Sequence, residues 1–212
     1  MIRILVICEG PTESRFVTRV LAPYLQPKGR LLFPTLISSR AGNGCGGNVT
    51  VERLANAAQK HYFQAHRVTT LVDYYGFRRL AGRSHATLLQ EITDAVKKTV
   101  GQPYNPHHFH AYVQMHEFEA LLFSNIEKFD TLPDGFNKQA RTKLETVIRQ
   151  FDPEDINNSP ETAPSKRLEQ IFPYGCYGKV EHGALIAEAI GIDTIRARCP
   201  GFDAWVTLME NW

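Results

Sequence analysis

Three short stretches of this chain carry the side chains best suited to chemistry. They are Glu9-Gly10-Pro11-Thr12-Glu13, the segment ending at Asp73, and His116-Glu117-Phe118-Glu119. Carboxylates are hard oxygen donors, and two held close together repel unless a cation or a proton sits between them. Mg²⁺ is a natural partner for such oxygens. In the first stretch Gly10 allows a sharp bend and close approach of a ligand. Pro11 suits a first helical position, where a missing N–H costs little. Glu9 therefore stands at the end of a strand and Glu13 close to it in the first helical turn. Each acid also has a plainer role: Glu13 complements a helix dipole, and Asp73 hydrogen-bonds the backbone of its own turn. In the third stretch an extended backbone puts Glu117 and Glu119 on one side. A helical backbone instead sets His116 on a face with Glu119. Either way at least one carboxylate faces the edge that Glu9 and Asp73 occupy.

The elements that must position these residues follow from apolar spacing. Ile2 to Cys8 is an apolar run broken only by Arg3, the pattern of a strand buried on both faces of a parallel sheet. Phe16, Val17, Val20, Leu21, Tyr24 and Leu25 recur at helical spacing. A second strand is predicted near Leu32–Ile37, a third at Val68–Val72 and a fourth at Phe109–Met115. Between them lie a helix capped by Asn48 that buries Val51, Leu54, Ala55, Ala58 and Tyr62, and a helix over His85–Val100. The glycine-rich segment 41–48 matches no phosphate-binding pattern and reads as a flexible loop. His107, His108 and His110 fall at the amino end of the fourth strand, opposite the carboxylates, and read as surface residues. Arg78, Arg79, Arg83 and Lys97 read as a solvated face. Ligands of open α/β sheets bind at the carboxyl ends of the strands, where the acids sit. From Ser124 onward only helical spacing persists: 137–150, a helix opened by Ser165-Lys166-Arg167-Leu168, 182–190, 192–198 and 202–212. The expected organisation is an α/β core over residues 1–125, with a mainly parallel four-stranded sheet, and a helical appendage over 126–212 packed on it without a flexible linker.

The bulk composition narrows the classes. The 212 residues carry a net charge of +2 with 43% hydrophobic content, enough for a sizeable core. A nucleic-acid partner would need a local basic patch, because the whole chain is not basic. Lys138, Arg141, Lys143 and Arg149 are such a patch, or a solvated helix face. No apolar run approaches the roughly 20 residues of a membrane span, and the start lacks a signal-peptide pattern. Cys8, Cys45, Cys176 and Cys199 are scattered without metal or disulfide spacing. Reduced thiols in a cytoplasmic protein are expected.

The strand–helix order, with Glu9 after the first strand and Asp73 after the third, resembles the TOPRIM fold of topoisomerases, primases and nucleases of the overcoming-lysogenization-defect (OLD) class. Glu9-Gly10-Pro11-Thr12-Glu13, Asp73-Tyr74-Tyr75-Gly76, His116-Glu117-Phe118-Glu119-Ala120-Leu121-Leu122-Phe123 and Pro164-Ser165-Lys166-Arg167-Leu168 together resemble one bacterial family of that group, the domain of unknown function 4276. The resemblance covers nearly the whole chain. It implies a three-layer core and a Mg²⁺- or Mn²⁺-dependent site for cutting or rejoining phosphodiesters in DNA or RNA. It also implies a separate ABC-type or SMC-like ATPase partner in phage defence. By that resemblance Glu9 matches the TOPRIM glutamate, Glu13 the second glutamate of the OLD class, and Asp73 the first acid of an Asp-x-Asp motif. Tyr75 departs from the pattern by standing where the second acid belongs, and a phenol is a poor Mg²⁺ ligand at neutral pH. Glu117 or Glu119 then supplies the missing charge. Lys166 and Lys179 are candidates to stabilise a scissile phosphate, and Arg167 to join the nucleic-acid contacts; ordinary surface exposure is the plainer role of the lysines. The alternative is a binding module without catalysis that has lost the second acid.

Overall fold

The computed structural model describes residues 1–37, 49–77, 80, 82–132, 135–156, 162–172 and 176–212. The expectations for the 41–48 loop, Cys45, the Asn48 cap and Arg78 and Arg79 lie outside these. β1 (Ile2–Cys8), β2 (Arg30–Leu36) and β3 (Arg67–Asp73) are parallel neighbours in the order β2-β1-β3. β4 (Phe109–His110) and β5 (Val113–Gln114) follow one another along the outer side of β3, also parallel. One continuous strand was expected there. The break has a local cause. The Thr70 hydroxyl donates to the Tyr112 carbonyl at 2.6 Å and accepts its N–H at 2.8 Å, taking the two backbone groups that a ladder would use.

The first crossover begins with α1 (Pro11–Phe16), widens to a π turn over Val17–Leu21, and ends in α2 (Ala22–Leu25). Ala22 N–H reaches back five residues to the Val17 carbonyl. Pro23 has no N–H to give and its ring crowds the preceding turn, which a wider turn relieves. α3 (Val51–His61) and α4 (His85–Val100) make the next two crossovers. The cap of α3 is Thr50, whose hydroxyl accepts the Arg53 N–H at 3.2 Å. Because β1 leads outward to β2 while β2 leads back past β1 to β3, right-handed crossovers put α1 on one face and α3 and α4 on the other. The side chains of β1 obey this. Leu5 and Ile7 pack toward Leu54, Ala58, Leu88 and Ile92, while Ile4, Val6 and Cys8 pack toward Phe16 and Leu21.

After β5 the chain is helical. Short 3₁₀ helices cover Phe118–Ser124 and Ile126–Thr131. Then come α5 (Lys138–Gln150), α6 (Pro164–Ile171), α7 (Lys179–Ile190), α8 (Ile192–Arg198) and α9 (Pro200–Asn211). No strand follows Gln114 among the described residues. These helices join the α1 face, and one apolar cluster runs from Ile4 and Val6 through Phe16 and Phe118 to Phe202, Trp205 and Val206. Trp205 ties the two parts together. Its indole stacks on Tyr112 with ring centroids 4.4 Å apart, and its N–H donates to Thr69 of β3 at 2.8 Å. Burying such an indole with its N–H satisfied is worth several kcal/mol, on the order of 3–5 by truncation. No helix among the described residues is long and apolar enough to cross a membrane. Cys8, Cys176 and Cys199 are free thiols.

Candidate metal centre

The strand order reverses at β1, so a crevice opens outside the carboxyl ends of β1 and β3. Glu9 leaves β1 there and Asp73 ends β3. Their turns are joined directly: the Asp73 N–H donates to Glu9 Oε2 at 3.2 Å, and the Glu9 N–H donates to the Leu71 carbonyl at 3.1 Å. Gly76 makes room for this. A Cβ at that position would stand 2.1 Å from Glu9 Oε2, so only glycine lets the carboxylate lie against the backbone. Glu13 bends back to accept the Gly10 N–H at 2.8 Å and caps its own helix. Asp73 Oδ1 accepts the Phe118 N–H at 2.9 Å, and Glu117 Oε2 accepts the Ser165 N–H, also at 2.9 Å. Backbone amides thus lace the turn after β1 to the turn after β3, that turn to the 118–124 segment, and that segment to α6.

The result is one cavity of about 410 Å³ lined by Glu9, Glu13, Asp73, Glu117, Glu119 and Lys179, with Tyr75, Gly76 and Val180 at its wall. Five carboxylates face one ammonium. Glu117 is the extended residue before the 3₁₀ helix and Glu119 lies within its first turn, and both reach the cavity. Glu119 is almost fully buried. Its Oε1 is ion-paired with Lys179 Nζ at 3.3 Å.

Crowding shows in the acidities. Burial, with the charges of Glu9 and Glu119, pushes the Glu13 carboxyl up to about 7, against the amide bonds that favour its anion. Burial and the charges of Glu13, Glu9, Glu119 and Glu117 push Asp73 well above the usual carboxylate range. Burial raises Glu119 too, and Lys179 opposes the rise. Burial alone would lower Lys179, but Glu119, Glu117 and Asp73 outweigh it and keep the ammonium charged. Burial and the neighbouring Tyr74 and Glu117 raise the Tyr75 phenol, so it stays neutral and adds no anionic donor.

These donors suit a hard divalent cation by type and charge. No three His, Cys, Asp or Glu side chains among the described residues already stand as a chelating group. A zinc-type cage therefore does not fit. A Mg²⁺-type site does, since that ion is commonly held by one or two carboxylates with water and substrate phosphate completing its shell.

A family model described as "Domain of unknown function (DUF4276)" matches residues 8–210. The chain belongs to that family. Among solved structures it is similar to the C-terminal region of the Xanthomonas campestris pv. campestris OLD protein. The mercury-phased structure is 13% identical with a TM-score of 0.42, over 97% of this chain and 96% of that one. The platinum-phased structure is 16% identical with a TM-score of 0.41, over 99% and 96%. A comparison with curated proteins finds no match.

The other residues singled out in this DUF4276 chain are dispersed. Lys166 lies one residue beyond the amide that holds Glu117, but its ammonium pairs with Glu169 at 2.6 Å and it does not line the cavity. Arg141 pairs with Glu127. Lys143 and Arg167, with Thr146 and Gln170, line a separate cleft of about 290 Å³ between α5 and α6. Lys138 and Arg149 are exposed on α5, and Arg149 pairs with Glu145 at 3.3 Å. His107 and His110 are exposed. Sequence reasoning passed over Gly76, whose only signal was a glycine three residues after Asp73. It also passed over the amides of Phe118 and Ser165, which carry no signal in residue type.

Proposed function

We propose that this chain is a divalent-metal-dependent nuclease of the TOPRIM kind, acting on phosphodiesters of DNA or RNA. One observation supports the reading above the rest: five carboxylates from three separate turns meet a single lysine in one cavity at the strand-order switch point. Glu9, Glu13 and Asp73 would hold Mg²⁺ or Mn²⁺, and Glu117 and Glu119 replace the charge that Tyr75 does not supply. A bound cation would contribute Lewis-acid stabilisation of charge on the phosphate oxygens. The amide bonds to Glu9, Asp73 and Glu117 keep those carboxylates oriented without spending a side chain on each. Lys179 brings a charged ammonium to the same cavity, positioned by Glu119, and would stabilise negative charge developing on the phosphate. That role falls to Lys179 rather than Lys166, which pairs with Glu169 on the surface and does not line the cavity. α6 runs from the Ser165 amide on Glu117 to the cleft of Lys143 and Arg167, a route along which a phosphate backbone would lie. The setting that goes with this reading is cytoplasmic phage defence beside a separate ABC-type or SMC-like ATPase.

A second reading is a binding module that does not cut. Tyr75 at the cavity wall and the lack of a ready three-donor group among the described residues favour it. Cleavage of plasmid, single-stranded DNA and tRNA with Mg²⁺ or Mn²⁺ separates the two. The nuclease reading expects cutting by wild type and its loss in Glu9→Gln. Equal residual cutting by both proteins leaves only the binding module.

A further inference from the structure

Tyr75 is a poor metal ligand, yet it sits on the wall of the acidic cavity with about 36% of its surface open. Its ring is held from behind. One neighbour is His116, stacked on it at 5.2 Å between centroids and 25° between planes. The other is Tyr74, tilted at 5.7 Å and itself edge-on to His116. Tyr74 is pinned by its hydroxyl, which donates to the Arg83 carbonyl at 2.5 Å. The Tyr75 N–H donates to the His116 carbonyl at 3.2 Å, fixing the two segments to each other. A three-ring cluster therefore presents one partly open aromatic at the mouth of a site for phosphates. Supported rings beside a backbone-binding groove are how proteins hold unpaired bases, since every base has a π face to stack. A base inside a duplex is already stacked on its neighbours and offers no face.

We propose that Tyr75 is a stacking platform for an unpaired nucleobase, so that the site takes single-stranded nucleic acid rather than intact duplex. The inference rests on the reading of the cavity as a phosphodiester site and names its substrate class. The ring alone is needed, so Tyr75→Phe and Tyr75→Trp keep the platform and Tyr75→Ala removes it.

The experiment is fluorescence anisotropy with labelled single-stranded DNA, single-stranded RNA of the same sequence, and duplex DNA, each with Ca²⁺ as the divalent ion. Circular dichroism checks that each variant folds. Stacking of one base predicts a loss of roughly 5- to 150-fold in single-strand affinity for Tyr75→Ala. Phe and Trp variants stay near wild type, and duplex binding stays unchanged throughout. An abasic nucleotide walked along the strand adds a coupling test: one position weakens wild type and leaves Tyr75→Ala indifferent. The DNA and RNA arms tell which strand the platform accepts. Unchanged single-strand affinity in Tyr75→Ala, or an equal fall for duplex, overturns the platform. Loss of cleavage in Glu9→Gln alongside that result leaves the nuclease reading standing. A wild type that neither binds nor cuts any nucleic acid removes both.

Discussion

Replacing Glu13 by Gln should make the metal-free protein more stable at neutral pH, although it deletes a charged, hydrogen-bonded side chain. The buried carboxyl is pushed from the ordinary 4.5 to about 7. The folded state then holds its proton longer than the unfolded state does, so native stability is lost as pH climbs from about 4.5 to about 7 and stays lost above. At about 1.4 kcal/mol per pH unit the loss is at most about 3–4 kcal/mol. Gln keeps the shape and can still accept the Gly10 N–H, and it carries no charge to strand. For a chain of this length a gain of about 3–4 kcal/mol corresponds to a melting temperature higher by roughly 6–15 °C. Thermal melts followed by circular dichroism in a chelator, at pH 5 and pH 8, provide the assay. The variant should match wild type at pH 5 and exceed it at pH 8. Mg²⁺ at pH 8 should close the gap by raising wild type. A variant that melts below wild type at pH 8, or differs equally at both pH values, refutes the account of crowded carboxylates.

Gly76→Ala places a methyl where Glu9 lies, 2.1 Å from Oε2, and should weaken divalent-ion binding by about tenfold or more, of the size seen when a support of a metal ligand is lost; calorimetric titration checks it, with circular dichroism showing the fold intact. Lys179→Met removes the one ammonium among the described residues that line the acidic cavity. Cleavage should fall by roughly 10²–10³, while divalent-ion affinity holds or rises because a competing positive charge is gone.

Much of the site was legible because parallel strands bring their carboxyl ends to one edge. Once Ile2–Cys8 and the run ending at Val72 read as buried strands, Glu9 and Asp73 had to share that edge whatever lay between them. The helical faces were legible for the same reason, and His85–Val100 stands where its apolar spacing put it. What escaped were contacts made by single atoms. The break between β4 and β5 depends on one hydroxyl of Thr70. The π turn left the apolar spacing of Phe16 to Leu25 intact, so periodicity could not reveal it. Phe118–Phe123 is buried on every side, which leaves no face from which a 3₁₀ turn could be inferred. Neither of the two geometries weighed for Glu117 and Glu119 occurs alone, since an extended residue leads into a helical one and both acids reach the cavity. Lys166 was picked from its neighbours in sequence, and its partner Glu169 one helical turn on decides where its ammonium goes.

Titration of Mn²⁺ into wild type and Asp73→Asn by calorimetry bears most directly on whether these acids hold an ion. Asp73 is the residue on which the charges of Glu9, Glu13, Glu117 and Glu119 all act. The account predicts a saturable site tighter than millimolar in wild type and weaker by about tenfold or more in Asp73→Asn. Equal affinities in the two proteins, or no wild-type binding below millimolar, would contradict it.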